Sequence, residues 1–289
     1  MTTFTVGLVQ MRSGLDPARN LDAAVKLIEQ AKANGADYVQ TPEMTNIVAN
    51  KRDIMLAATA PEESDPSLAA FRTLARKFGI HVHIGSLAIK ISADRAANRS
   101  FVIDPQGEIV ARYDKIHMFD VDLAGGESYC ESRSYRPGEQ AAVADLPWGR
   151  LGLTICYDVR FPTLHRALAE AGASFIASPA AFTKQTGEAH WHVLLRARAI
   201  ENTSFVFAAA QGGRHEDGRD TFGHSLVIDP WGRILAEGDT EPGVVMAKID
   251  PADAAAARAR IPSLQHGRRF EMVEPAGKPV PLHAVGGTG

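Results

Sequence analysis

A cysteine stands where an apolar run of the sequence gives way to a polar one. Residues 151–155 predict a buried strand, and Cys156 follows directly, before residues that favour the start of a helix. A thiol near the positive end of a helix is stabilised as thiolate, and backbone N–H groups there can bind a developing oxyanion. Cys156 is therefore a candidate nucleophile. The alternative is a buried structural cysteine, since free cysteine is among the most buried residue types.

Two ionisable residues elsewhere in the chain could assist such a thiol. Glu43 follows a β-prone run that ends in Thr-Pro, and Lys115 opens a loop that extends to Pro137. That loop is longer than the ~4–6 residues typical of compact connections, and such loops are often functional. Taken alone, Glu43 could equally be a helix-capping or salt-bridged carboxylate, and Lys115 a solvated surface lysine.

The elements that must position these residues occur twice along the chain. Residues 35–43 match residues 172–180 in glycine, alanine, β-prone positions and proline, and each copy lies within a strand-helix-strand-helix-strand-hairpin order. Two such halves with buried strands predict an α/β fold, a four-layer α-β-β-α sandwich of two sheets with an internal two-fold repeat. The predicted helices are residues 17–34, 68–78, 163–171 and 191–200.

The repeat also indicates where chemistry has been added to the scaffold. Glu43 corresponds to Ala180 in the second half, and Cys156 corresponds to Met11 in the first. Each reactive side chain therefore belongs to one half only. Because the carboxyl ends of parallel strands collect ligand sites, we expect Glu43 and Cys156 to meet at one rim.

Composition narrows the class of protein. The 289 residues are 45% hydrophobic with a formal net charge of -3, which provides a large core and no basic field for nucleic acid. No stretch reaches the ~18 apolar residues of a membrane span, and the first residues resemble no export signal, so we expect a cytoplasmic protein with reduced thiols. Residues 1–262 are predicted to form a single domain, and 263–289 a C-terminal arm or tail.

Three motifs together resemble those of the carbon–nitrogen hydrolase, or nitrilase, superfamily. Thr41-Pro-Glu43 is similar to its glutamate motif, Tyr113-Asp-Lys115-Ile-His to its lysine motif, and Ile155-Cys156-Tyr-Asp-Val-Arg160-Phe-Pro162 to its cysteine motif. The resemblance covers roughly residues 4 to 250, so it implies that the predicted single domain is a carbon–nitrogen hydrolase domain. It implies the same four-layer sandwich, a catalytic triad of Glu43, Lys115 and Cys156, and no cofactor. It also implies a homodimer built across helices 163–171 and 191–200. Whether the dimers form larger assemblies is left open.

Two segments are similar to the Nit-type branch of the superfamily, namely Cys130-Glu131-Ser132 and residues 182–201. The resemblance implies an amidase that hydrolyses the C–N bond of a small carboxylate-bearing amide through a cysteine thioester. Deaminated glutathione is the favoured substrate. The alternatives are omega-amidase activity on 2-oxoglutaramate or 2-oxosuccinamate, aliphatic nitrilase activity, and a non-enzymatic ligand-sensing scaffold.

The resemblance assigns a role to each member of the site. Glu43 would carry the proton of Cys156, while Lys115 and the backbone N–H of Tyr157 would stabilise the tetrahedral intermediates. Lys115 would lower the pKa of the thiol and Glu43 would raise it, so the sequence leaves the sign of the shift open. Glu131 would position the substrate or the lysine, or be a plain loop carboxylate.

Substrate binding is predicted from residue type and position. Arg160 is the first candidate for a substrate carboxylate, because a guanidinium can grip it bidentately, although a structural salt bridge is an equal alternative. Phe182 and Thr183 follow a strand of the second half and are candidates for lining the pocket.

A catalytic metal is the main rival from another class, since two histidine pairs stand close in sequence. His81 and His83 match Phe205 and Phe207 of the other half, which favours a packing role. His190 and His192 would be separated by about 200° around a helix. The sequence therefore predicts no metal.

Overall fold

Strands and helices alternate along both halves of the chain. The structure is a computed structural model that describes residues 2–273 and 279–280. Its strands are β1 (Phe4–Gln10), β2 (Tyr38–Gln40), β3 (His81–Lys90), β4 (Ala96–Ile103), β5 (Ile109–Asp114), β6 (Asp120–Asp122), β7 (Ser128–Cys130), β8 (Ala142–Leu146), β9 (Gly149–Leu153), β10 (Ala173–Ala177), β11 (Phe205–Ala208), β12 (Gly212–Arg214), β13 (Asp220–Phe222), β14 (Leu226–Ile228), β15 (Ile234–Glu237), β16 (Gly243–Ile249), β17 (Met272–Val273) and β18 (Pro279–Val280). Its α-helices are α1 (Pro17–Ala33), α2 (Arg52–Ala58), α3 (Pro66–Phe78), α4 (Pro162–Glu170), α5 (Lys184–Asn202) and α6 (Ala252–Arg260).

The longer strands form two six-stranded sheets. The first has the order β16-β1-β2-β3-β4-β5 and the second the order β15-β14-β11-β10-β9-β8. In the first sheet β1, β2 and β3 are parallel, and in the second β9, β10 and β11 are parallel. Antiparallel strands flank both parallel cores. The first half of the sequence supplies five strands of the first sheet, and β16, from the end of the second half, completes it beside β1. The two mixed sheets have the same design.

The internal repeat holds down to single residue pairs. In the first sheet Gly7 of β1 lies opposite Val39 of β2, and in the second Gly152 of β9 lies opposite Ile176 of β10. These are the positions that the sequence match makes equivalent. The two sheets therefore share strand register as well as strand order, which confirms the predicted two-fold repeat.

Helices cover the outer face of each sheet, and the matched glycines admit them. A Cβ on Gly7 would lie 3.0 Å from Cβ of Ala31 in α1, and one on Gly152 would lie 2.9 Å from Cβ of Leu168 in α4. A larger residue would push the helix off the sheet in either half. α1 and α3 share a hydrophobic cluster with the first sheet.

The inner faces of the two sheets pack against each other through aromatic side chains. Phe4 of β1 meets Phe175 of β10 edge-on at 5.5 Å between ring centroids, and Tyr38 of β2 lies 5.7 Å from Phe207 of β11. One hydrophobic cluster contains buried residues from both sheets. The layers are therefore helix, sheet, sheet, helix, which confirms the four-layer sandwich.

Several segments differ from the sequence prediction. Helices α2 and α6 were not predicted, and α5 begins at Lys184, seven residues before its predicted start. Gly187 lies within α5, where a Cβ would stand only 2.3 Å from the Phe222 side chain. A close contact, rather than a loop, explains that glycine. The long connection after Lys115 contains the β6–β7 hairpin and a 3-10 turn over Glu131–Arg133.

The end of the chain is described only in part. After α6, the described residues carry the short β17–β18 pair. Residues 274–278 and 281–289 of the predicted arm lie outside the described residues, so the boundary at residue 262 stays a prediction. Within the described chain, no helix combines the length and apolar character needed to cross a membrane.

Candidate active site

Cys156 lies on a tight turn beyond the carboxyl end of β9. It is the first residue of a 3-10 turn over Cys156–Arg160, and α4 begins only at Pro162. The expected start of an α-helix at the thiol is therefore replaced by this turn. The backbone of Cys156 has a φ of 48°, which is a left-handed conformation. This conformation is unfavourable in free energy for any residue other than glycine. Strain of this kind is found where the surrounding structure must aim a side chain.

Glu43 occupies the matching rim of the first sheet. β2 ends at Gln40, and Glu43 lies three residues further on, as Ala180 does after β10. Its carboxylate is 3% exposed, and Oε2 accepts a hydrogen bond from the backbone N–H of Ala181 at 2.8 Å. The loop that follows the second-half strand thus holds the carboxylate supplied by the first half.

Lys115 lies between two carboxylates at the end of β5. Its Nζ donates to Oε1 of Glu43 at 2.9 Å and to Oε2 of Glu131 at 2.8 Å. Asn98 completes the arrangement, because its Nδ2 donates to Oε1 of Glu43 at 2.9 Å and to Oε1 of Glu131 at 3.0 Å. Lys115 is 1% exposed, so these carboxylates replace water as the partners of its ammonium.

Asp158 joins the lysine segment to the cysteine turn. Its Oδ2 accepts hydrogen bonds from the Tyr113 hydroxyl at 2.7 Å and from the Ile155 backbone N–H at 2.8 Å. Its Oδ1 accepts from the backbone N–H of His117 at 3.1 Å and lies 2.6 Å from His117 Nδ1. Asp158 is completely buried, so these contacts fix the two segments relative to each other.

The pKa values indicate which members carry charge. Burial alone would raise the pKa of Glu43, but the Lys115 ammonium and hydrogen bonds hold it below its usual value. Burial alone would lower the pKa of Lys115, but Glu131 and Glu43 hold it well above its usual value. Burial and the Glu43 carboxylate raise the pKa of the Cys156 thiol, and Lys115 only partly opposes them. The resting pair is therefore a neutral thiol beside an ionised carboxylate, which supplies the sign that the sequence left open.

These residues share one cavity. Its volume is ≈ 520 Å³, within the range of small-molecule sites, and Glu43, Lys115, Glu131 and Cys156 all line it. Aromatic side chains form much of its wall: Phe119, Tyr129, Tyr135, Tyr157 and Phe182. The structure thus brings the four predicted catalytic residues together in a partly apolar pocket.

The predicted oxyanion and substrate-binding residues have different positions. Tyr157, Phe182 and Thr183 line the cavity, and Thr183 also caps α5. Arg160 does not appear in the wall that the described residues form. Its guanidinium lies 5.8 Å from the Tyr157 ring centroid and 5.3 Å from that of Phe182, behind two lining rings. Within the described chain, no carboxylate lies within ion-pair distance of Arg160, so the structure does not show the structural salt bridge that was its alternative, and its role in substrate binding stays a prediction.

The histidines lie away from the cavity wall. His83 is buried between the sheets and bonds to the Tyr38 hydroxyl and the Ser100 hydroxyl, each at 2.7 Å. His192 Nε2 and His224 Nδ1 lie 2.9 Å and 2.8 Å from the same oxygen of Glu237, Oε1. The sequence analysis had paired His192 with His190 instead. His192, His224 and Glu237 could hold a metal by donor type. The same contacts are ordinary histidine–carboxylate hydrogen bonds.

Sequence reasoning missed Asn98, Asp158 and Arg219. Asn98 is followed in β4 by Arg99 and Ser100, so its polar side chain did not stand out in the sequence. Asp158 stood inside the cysteine motif without an assigned role. Arg219 lines the cavity from a hairpin loop that is distant in sequence from every motif.

This chain is similar to known proteins over most of its length. The sequence profile of a family described as carbon-nitrogen hydrolase matches residues 5–259. A deaminated glutathione amidase of Yersinia enterocolitica is 42% identical over 278 residues, which are 95% of this chain and 96% of that protein. The crystal structure of the Caenorhabditis elegans NitFhit protein has a TM-score of 0.87 at 35% identity, covering 94% of this chain and 69% of that one.

One structural neighbour bears on the cysteine. A mutant of the amidase from Nesterenkonia sp. AN1 shows covalent addition of the acetamide moiety of fluoroacetamide at its active-site cysteine. Its TM-score is 0.76 at 28% identity, and the match covers 91% of this chain and 95% of that one.

Proposed function

Because this chain belongs to the carbon–nitrogen hydrolase family, we propose that it is an amidase acting on deaminated glutathione, with Cys156 as nucleophile. The choice of substrate rests on the similarity to the Yersinia enterocolitica deaminated glutathione amidase, which matches this chain over nearly its whole length. Hydrolysis of that substrate at the amide next to cysteine releases 2-oxoglutarate and cysteinylglycine. The site has the groups this chemistry needs, a thiol, a proton carrier and a fixed cation.

The first half of the reaction forms a thioester. Glu43 takes the proton of Cys156, and the sulfur attacks the amide carbon, placing negative charge on the carbonyl oxygen. Lys115 and the backbone N–H of Tyr157 stabilise that oxyanion. When the tetrahedral intermediate collapses, the C–N bond breaks and Glu43 returns the proton to the departing amine.

The second half of the reaction hydrolyses the thioester. Glu43, again ionised, takes a proton from water as the water oxygen attacks the thioester carbon. The same two donors stabilise the second oxyanion. On its collapse the C–S bond breaks, Cys156 regains its proton from Glu43, and the carboxylic acid product leaves.

The electrostatics of the resting site support this division of roles. A neutral thiol next to an ionised Glu43 is the protonation state from which a general base can act. Glu131 and Asn98 hold Lys115 and Glu43 in place, so Glu131 acts here as a positioning residue for the lysine. The acetamide adduct at the active-site cysteine of the Nesterenkonia sp. AN1 amidase mutant supports the choice of Cys156.

Substrate assays with purified protein test the proposal. 2-Oxoglutarate release is measured from deaminated glutathione and from 2-oxoglutaramate, and ammonia release from 2-oxosuccinamate and an aliphatic nitrile. We expect the highest kcat/KM on deaminated glutathione. A higher value on 2-oxoglutaramate or 2-oxosuccinamate would replace the substrate with that of an omega-amidase, and preference for the nitrile would remove the amidase assignment.

Variants of both cysteines provide the matched control. Cys156→Ala should abolish release while the protein keeps its unfolding temperature. Cys130→Ala removes the other thiol of the same cavity, an exposed cysteine that has no role in the proposed reaction, and should retain turnover. Turnover that survives Cys156→Ala would exclude the thioester mechanism and favour the scaffold alternative.

The proposal extends to assembly and location. A homodimer through α4 and α5 is supported by exposed apolar residues on α5, Val193 at 68% and Ile200 at 50%, and on the neighbouring β14–β15 hairpin, where Trp231 is 43% exposed. Light scattering should give a dimer, and Val193→Glu should give a monomer. A cytoplasmic location is supported by two free cysteines, and cell fractionation tests it.

A further inference from the structure

We propose that Arg219 forms a binding subsite for a substrate carboxylate remote from the scissile bond. The inference rests on the proposed function, because it concerns amides that enter the same cavity. Arg219 is among the residues that line the cavity, and Arg160 is not. The contacts of Arg219 with two other segments and its unpaired Nε carry the argument.

Arg219 lines the cavity and is held there by residues of two other segments. It lies between β12 and β13, where the backbone N–H of His215 donates to its carbonyl at 2.8 Å. Its Nη2 donates to Oδ1 of Asn50 at 2.7 Å, and its guanidinium lies 5.3 Å from the ring centroid of Tyr129 in β7. The head group is therefore oriented before any ligand binds, which reduces the entropy lost on binding.

The hydrogen-bonding capacity of this guanidinium is largely unused. Within the described chain, its Nε is shielded from solvent and has no hydrogen-bond partner. The carboxylate that comes within ion-pair distance is Asp217, with Oδ2 at 4.0 Å from Nε, too far for a hydrogen bond. Arg99 shows the contrast, since it grips Asp114 with two bonds of 2.6 Å and 2.9 Å.

The charges around the cavity explain why such a group is needed. Lys115 is held by Glu43 and Glu131 beside the thiol, where the mechanism uses it for the oxyanion rather than for a remote carboxylate. Glu127, Asp217 and Asp220 also line the cavity and would repel a carboxylate. Arg219 is thus the cation positioned to overcome that repulsion, and a planar guanidinium matches a carboxylate bidentately. Amides with such a carboxylate should bind better than neutral amides of the same length.

Three amides of equal acyl length separate the sources of the carboxylate. Pentanamide has none, glutaramate has one on the acyl part, and pentanoyl-cysteinylglycine has one on the leaving amine. The variants are Arg219→Gln, Arg219→Lys, and Arg19→Gln as control. Arg19 is an arginine of α1 whose side chain is 80% exposed; it pairs with Asp16 at 3.4 Å, and neither residue lines the cavity.

For Arg219→Gln we expect KM to rise about tenfold or more on a carboxylate-bearing amide, with kcat within about twofold and pentanamide unaffected. Arg219→Lys should recover part of the loss, and Arg19→Gln should match the parent. An effect confined to glutaramate places the carboxylate on the acyl part, and one confined to pentanoyl-cysteinylglycine places it on the amine. Equal changes on all three amides, or none, would overturn the proposal.

A binding measurement keeps this test independent of turnover. Calorimetric titration of the Cys156→Ala protein with glutaramate and pentanoyl-cysteinylglycine, with and without Arg219→Gln, reports the subsite directly. Affinity that Arg219→Gln removes and Arg19→Gln retains supports the subsite even if deaminated glutathione is not hydrolysed. Affinity that Arg219→Gln leaves unchanged, or no affinity for either ligand in Cys156→Ala, would refute it.

Discussion

The hydroxyl of Tyr113 donates a hydrogen bond across 2.7 Å to Oδ2 of Asp158. This contact joins a residue two positions before the proposed oxyanion-binding lysine to one two positions after the proposed nucleophile. Both side chains are buried, Tyr113 at 2% exposure and Asp158 at 0%. The hydrogen bond between Tyr113 and Asp158 therefore helps to fix the distance between the Lys115 ammonium and the Cys156 thiol.

Replacing Tyr113 with phenylalanine should lower both stability and turnover. The change leaves the ring in place and removes one donor from a buried carboxylate, which costs about 1.5–3 kcal/mol. The lysine segment then loses one of its links to the cysteine turn, so kcat should fall while KM changes little. Urea unfolding and steady-state kinetics measure the two effects.

Tyr38→Phe is the matched control for that change. It removes a buried hydroxyl that lies 2.7 Å from the neutral ring of His83, between the sheets. We expect it to lower the free energy of unfolding by a smaller amount and to leave kcat unchanged. Equal kcat in Tyr113→Phe and the parent would show that the contact has no part in aligning the site.

Glu43→Gln should abolish hydrolysis yet make the thiol easier to ionise. The amide cannot accept the thiol proton, so we expect kcat to fall by at least ~100-fold. The carboxylate that raises the pKa of Cys156 is gone, while Lys115 still lowers it. The pH midpoint of iodoacetamide labelling at Cys156 should therefore move down. A midpoint that moves up would contradict the assigned charges.

Lys115→Met should shift the same midpoint in the opposite direction. Without the ammonium, burial raises the pKa of Glu43, and the thiol loses the cation that lowers its own pKa. Labelling at neutral pH should slow, and hydrolysis should fall by at least ~100-fold because the oxyanion loses its charged donor. Lys77→Met, at a lysine whose side chain is 60% exposed, is the control and should change neither quantity.

The stability of the fold should fall in acid partly through His83. Burial lowers the pKa of this histidine to about 3, so the folded state leaves it neutral where the unfolded chain binds a proton. Stability is then lost as pH falls below about 6.5, by up to ~1.4 kcal/mol per pH unit. His83→Gln should remove that slope between pH 6 and 4.

The test for His83 is the change of the free energy of unfolding with pH, rather than its absolute value. His165, whose pKa burial lowers to about 4, stays in both proteins and should leave a residual slope of the same sign. His266→Gln changes an exposed histidine and should leave the pH dependence as it is. An unchanged slope in His83→Gln would mean that the ring is protonated in the folded state.

The repeat made the fold and half of the site predictable. Because Gly7 and Gly152 match in sequence, the strand order and register of one sheet follow from the other. Glu43 and Cys156 stood out because their counterparts, Ala180 and Met11, carry no such chemistry. A difference between two copies of one scaffold cannot be explained by the scaffold.

Residues that act through tertiary contacts were beyond such reasoning. Asn98 bonds to two carboxylates that lie 55 and 33 positions away in the chain. Arg219 reaches the cavity through a hairpin whose loop is placed by contacts with Asn50 and Tyr129. Neither set of partners leaves a spacing pattern in the sequence, because the distances are set by packing of the two sheets and their loops.

The buried charges around Lys115 bear on how this fold can lose its chemistry during evolution. Removing one partner of a buried ion pair typically costs 3–5 kcal/mol, whereas apolar replacement of the whole group is often neutral or stabilising by about 1–4 kcal/mol. A lineage released from selection for turnover therefore gains stability only if Glu43, Lys115 and Glu131 change together. Descendants that keep the fold without catalysis should carry apolar residues at all three positions, and single replacements should be rare among them.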